Sequence, residues 1–132
     1  MDHRTLLSEE TDAGAKLAIR FNEYMPVETA FWLNPLDEGR WLLYIASAEI
    51  TDSNISDAYG EVIRIVTEME TPYLDPFQVT LIGSDHRLAK AALEINRRYP
   101  SPMANRIRGT RFGGVGVEEV YLYPTRAVTP VS

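Results

Sequence analysis

An α/β domain is the fold class that this chain predicts: a mixed sheet of four to five strands with three helices, in the order α-β-β-α-β-α-β-β. Three observations predict it. Stretches with apolar residues at helical spacing alternate with short stretches of period two. Clusters of Gly, Pro, Asn, Asp and Ser punctuate each change of period. The 132 residues are 45% apolar and 24% charged, which suits one domain with a core of its own and no metal or disulfide staple.

Ser8 opens the first helix, with Glu9 and Glu10 set against the positive end of its dipole. Leu17, Phe21 and Tyr24 form its expected buried stripe, and Pro26 ends it. A strand is expected from Val27 to Leu33, then a turn over Asn34-Pro35-Leu36-Asp37-Glu38-Gly39. A second strand is expected from Trp41 to Ala48; both of its faces are apolar, so it should be covered on both sides. The short polar connection favours an antiparallel hairpin.

Thr51-Asp52-Ser53-Asn54 supplies capping residues for the best helix, about Ser53 to Glu70, with Ile55, Tyr59, Val62, Val66 and Met69 at helical spacing. Pro72 and Pro76 bound a loop before a third strand, Phe77 to Ile82. Gly83-Ser84-Asp85 ends that strand and caps a third helix, His86 to Tyr99. Pro100 and Pro102 force an exit loop, and two last strands, Ile107 to Phe112 and Val117 to Tyr123, flank Gly113-Gly114-Val115-Gly116. Residues 1–7 and 125–132 are expected to be loose. Helices between strands two and three and between three and four read as crossovers, which would make those strands parallel.

Composition narrows the chemistry. With no cysteine, disulfides, thiolate nucleophiles and zinc–thiolate sites are excluded. No segment reads as a signal peptide or a membrane span, so a cytoplasmic chain with no membrane partner is expected. The net charge of −6 is unevenly placed. Through Asp85 there are 5 basic and 16 acidic residues, a balance of −11; from His86 onward there are 8 and 3, a balance of +5. Such a split points to an anionic partner on one face, or to two surfaces that neutralise each other in the fold.

Five groups of residues carry candidate chemistry. Ser84, Asp85 and His86 are a nucleophile–acid–base inventory at a strand–helix junction, where α/β folds often place ligands. Neighbours in sequence point apart, however, and the same residues serve as a helix cap. His3, Asp52, Asp57, Asp75 and Asp85 are scattered oxygen and nitrogen ligands without the spacing of a metal motif, and Glu49 with Asp52 is one of many acidic pairs. Neither a metal nor a cofactor is expected. The glycine run 109–116 lacks the Lys-Ser/Thr of a phosphate loop and leads into a strand, which is hairpin chemistry.

The basic stretch from Arg87 to Arg111 is the strongest signal, and within it Arg97, Arg98, Arg106, Arg108 and Arg111 are the candidate binding residues. Arginine forks suit carboxylates and phosphates, and Arg106 and Arg108 share one strand face. Tyr121 and Tyr123 share a face with Glu119 on the last strand and would seat a partner if that strand were an edge. The expected function is a non-enzymatic protein-binding or regulatory module, through a partner protein or self-association, for instance as a homodimer. RNA or single-stranded nucleic acid binding through residues 87–111 is the second reading, set against a sequence pI near 4.9. A small hydrolase or transferase using Ser84, Asp85 and His86 is the third.

Overall fold

Thr29–Pro35 is buried at every position, so it cannot lie at a margin of the sheet. In the computed structural model, which describes residues 5–36, 38–100 and 102–128, this strand (β1) is the centre of a five-stranded sheet. Its partners are β2 (Leu42–Ser47) and β5 (Val115–Leu122), both antiparallel to it. β3 (Val79–Gly83) lies parallel to β2, and β4 (Asn105–Phe112) antiparallel to β5, giving the order β3-β2-β1-β5-β4. Of the segments 1–7 and 125–132 expected to be loose, residues 1–4, with His3, and 129–132 lie outside the described residues, as does Asp37 of the first turn.

Helices cover both faces of this mixed α/β sheet. α1 (Ser8–Asn22) and α2 (Ile55–Met69) pack with the short α4 (Thr125–Val128) over Ala30, Trp32, Leu43, Ile45 and Leu81. α3 (Arg87–Arg98) lays Leu88, Ala89 and Ala92 on Phe31, Ile82, Val120 and Leu122 of the opposite face. Burial on both sides explains why β1 shows no polar alternation.

Several expectations need correction. Leu7 caps α1 in place of Ser8, and its amide donates to the Glu10 carboxylate at 2.9 Å. Leu17 and Phe21 are buried as expected, whereas Tyr24 lies past the helix end and is exposed. Leu6 and Val128, inside the segments 1–7 and 125–132 expected to be loose, belong to the core, and Thr125–Val128 forms a short helix. Phe77 forms a 3-10 turn, Pro76–Gln78, and is exposed instead of starting β3. Of the two expected crossovers, only α2 joins neighbouring parallel strands. α3 carries the chain from one margin of the sheet to the other, and the strand pairings make β4 run opposite to β3.

The β4–β5 hairpin turns on Gly113 and Gly114, with φ 57° and 85°, the left-handed pair of a two-residue hairpin loop. A Cβ on Gly113 would stand 2.9 Å from the Arg87 carbonyl, so this turn also packs on the start of α3.

On the outer surface, Arg64 forks to Glu61 and Glu68, and Arg20 of α1 reaches Glu68, tying α1 to α2. These hydrogen bonds hold both carboxyls below the usual range, Glu68 through Arg20 first and then Arg64. Lowered folded values mean that the stabilisation is present above the ordinary glutamate pKa and is lost as pH falls through the folded values. The expected result is a urea midpoint that falls on acidification, by less when high salt already screens these exposed pairs. A midpoint that rises on acidification would contradict it.

Candidate functional site

Alternation along β5 sends Glu119, Tyr121 and Tyr123 to the face under α1, while Val120 and Leu122 meet α3. Pairing sets Tyr121 between Trp32 and Arg106, and Glu119 between Asn34 and Arg108. Ile107 packs on the α3 face, so Arg106 and Arg108 share the face of Glu119.

Tyr123 is 3% exposed. Trp32 Nε1–H donates to its hydroxyl oxygen at 2.8 Å, and that hydroxyl donates to the Thr11 carbonyl of α1. Burial pushes the hydroxyl's pKa far above its ordinary value. Tyr123 therefore fastens α1 to the sheet, which corrects its expected place in a partner-seating surface. β5 is not an edge; β4 is.

Tyr121 is half-buried and packs edge-on to Tyr123, with ring centroids 5.2 Å apart. The Arg106 guanidinium stands 4.9 Å over the centroid of the Tyr121 ring, a cation–π contact. Arg106 also donates to the Glu119 carboxylate at 3.0 Å, and Arg108 Nε lies 3.8 Å from the same oxygen. Glu119 is 3% exposed, while the Arg106 and Arg108 side chains are 46% and 74% exposed. One buried carboxylate thus braces two arginines that face solvent, and the three side chains together carry one net positive charge. Asn34 lies across from Glu119, fully buried, and neither of its amide atoms has a hydrogen-bond partner.

The other arginines lie elsewhere. Arg97 and Arg98 both pair with Glu94 at the end of α3, at 2.6 and 2.8 Å, and their hydrogen bonds hold its carboxyl below the usual range. Arg111 donates to the Gly114 carbonyl and closes the hairpin. Gly109, at φ 59°, breaks the alternation of β4, so Phe112 beyond it packs on Phe31 of the α3 face. The five candidate arginines of the basic stretch thus occupy three places, not one patch.

The two margins of the sheet differ. At β3, the Leu81 amide donates to the Tyr59 hydroxyl of α2 at 3.0 Å, so a side chain already occupies that edge. β4 is the other margin: Arg106, Arg108 and Arg111 are exposed on it, and among the described residues its one strand partner is β5. At the head of β4 is a cleft of about 690 Å³ lined by Tyr99, Pro100, Pro102, Asn105, Pro124 and Thr125. A second groove of about 530 Å³, between α1 and the end of α2, mixes Asp12, Lys16 and Arg20 with Met69 and Tyr73.

The junction after β3 does not assemble a triad. His86 Nδ1 accepts the Leu88 amide at 3.0 Å and is the N-cap of α3, in place of the expected Ser84 or Asp85. That bond occupies the lone pair a general base would need. Asp85 and His86 are exposed, and the buried Ser84 hydroxyl oxygen has no hydrogen-bond partner. Among the described residues, no three His, Asp or Glu side chains gather as a metal-holding group, and no helix is long and apolar enough to cross a membrane.

Sequence reasoning assigned Asn34 to a turn and treated Glu119 only as a neighbour of the tyrosines. It read Tyr99, Pro100 and Pro102 as a helix exit, although three rigid rings near a strand start were the available signal for the cleft. No protein-family model matches this chain, and comparison with curated proteins and with solved structures returns no match.

Proposed function

We propose that this chain is a protein-binding module that takes an extended acidic segment of a partner along the open edge of β4, with Arg106 and Arg108 engaging its carboxylates. The observation that carries this reading is the pair of arginines on one face of an open edge strand, braced from below by Glu119 and Tyr121. Exposed edge strands accept an added strand through main-chain hydrogen bonds, and alternate side chains supply specificity. Arg106 and Arg108 are two residues apart, so they match acidic residues at every second position. Bracing reduces the freedom the guanidinium groups lose on binding.

Charge also selects against a second copy at this edge. An antiparallel pairing of two β4 strands centred on Ile107 sets Arg106 of one copy against Arg108 of the other. Like charges directly opposite destabilise a sheet. Nucleic acid is less well supported than an acidic segment, because the arginines are dispersed and Arg106 already covers a face of Tyr121.

The test is fluorescence anisotropy with labelled peptides that alternate Thr with Glu, Lys or Ser, alongside a labelled oligouridylate. The expected result is binding of the Glu peptide alone, weakened by salt, with hydrogen-exchange protection along β4 and a chain that stays monomeric in light scattering. Equal binding of the Glu and Lys peptides, or binding of the oligouridylate alone, would overturn the proposal.

A further inference from the structure

We infer that the segment taken by β4 carries an aromatic anchor on the C-terminal side of its acidic pair, and that this anchor fills the cleft between Tyr99 and Pro124. The inference rests on the acidic-strand reading and adds to it a second recognition element and a direction.

The chemistry of the cleft selects the anchor. Three proline rings and the Tyr99 ring form its walls, and among the described residues no charged side chain lines it. Its polar side-chain groups are the amides of Asn96 and Asn105 and the hydroxyls of Tyr99 and Thr125, and Asn96 is already engaged with Thr29 and the Tyr123 carbonyl. A carboxylate entering such a cleft would lose water and gain no cation from its described lining, whereas an aromatic ring buries its faces against prolines and a tyrosine. At about 690 Å³ the space holds a large side chain and the backbone turn that delivers it. Tyr99 and Met103, 62% and 73% exposed, continue the apolar surface outside it. Aromatic anchors in pockets ringed by polar contacts are the usual energetic centre of an interface.

The topology sets the order. Asn105 is both the first residue of β4 and a wall of the cleft. β4 already pairs antiparallel with β5, and antiparallel ladders are the more stable kind. A segment running antiparallel to β4 passes Arg108, then Arg106, and then reaches the cleft. The anchor therefore follows the second acidic residue by about two to four positions, given roughly 3.3 Å per residue. The pattern is acid-x-acid, a short spacer, then an aromatic residue.

Four labelled peptides test this on the full chain. The first carries Glu-Thr-Glu-Thr-Ser-Trp; the second has Ala for Trp; the third has Ser for both Glu; the fourth reverses the order. The first is expected to bind roughly tenfold more tightly than the second, and more tightly than the third and fourth. In Tyr99→Ala, the gap between the first two should shrink, while thermal unfolding shows that the variant is folded. If the first and second peptides bind equally well and both beat the third, the anchor is refuted while acidic recognition stands. If the first and third bind equally, acidic recognition itself fails. If forward and reversed peptides bind equally, the antiparallel direction is wrong.

Discussion

Gly14→Ala is expected to destabilise the chain by about 2 kcal/mol, although the same change in an open helix would stabilise it by up to about 1 kcal/mol. The reason lies in how α1 meets the sheet. A Cβ at position 14 would stand 2.5 Å from the Tyr123 hydroxyl oxygen and 2.9 Å from Trp32 Nε1, far inside contact distance. Neither atom can yield without loss, since they are hydrogen-bonded to each other and the hydroxyl is bonded to Thr11 of the same helix. Accommodating the methyl means either lifting α1 off Trp32 or breaking a buried hydrogen bond; overpacking costs about 1–3 kcal/mol, and an orphaned buried partner a similar amount. Gly60 is the matched control: it lies on α2, and its added Cβ would meet nothing within 4 Å. Gly60→Ala should therefore raise the urea midpoint and Gly14→Ala lower it. Two shifts of the same sign would show that α1 does not sit on Trp32 and Tyr123 as described.

What the amino-acid order reveals here is mostly local. α2 and α3 were legible because periodic apolar residues and flanking polar or proline residues agree over three or four turns. The Gly113-Gly114 turn was legible because a two-residue hairpin loop with positive φ calls for that dipeptide. The antiparallel β1–β2 pair followed from a short connection. Non-local pairing was hidden. Nothing around Trp32 or Tyr121 announces that they lie opposite each other, yet that register sends Tyr123 into the core and leaves Arg106 over Tyr121. The path of α3 across the sheet was equally hidden, because a crossover between adjacent strands and one between distant strands have the same local pattern. Leu6 and Val128 were missed because a single apolar residue beside a terminus has no period to read. The arginines show the limit from another side. Their clustering in sequence was plain, but a helix end, an edge strand and a hairpin turn then disperse them.

Reversing the presented charge should reverse the partner's sign, provided that the brace is reversed with it. Arg106→Glu with Arg108→Glu alone would bring two carboxylates beside the buried Glu119 and replace two attractions with two repulsions. That double variant is expected to be destabilised, because the carboxylate at 119 has little access to water. Adding Glu119→Lys restores opposite charges at each contact and inverts the net charge of the three side chains from +1 to −1. The triple variant should recover much of the lost melting temperature. Its affinity for the alternating Glu peptide should fall roughly thirtyfold, since each cross-strand pair moves from attractive to repulsive and the two changes together amount to about 2 kcal/mol. The alternating Lys peptide should gain over the same range. Anisotropy measures the two affinities, and a thermal melt separates loss of binding from loss of fold. A folded triple variant that still prefers the Glu peptide would place the acidic recognition somewhere other than β4. An inverted preference would tie it to these two positions, because Arg97, Arg98 and Arg111 are unchanged in this variant.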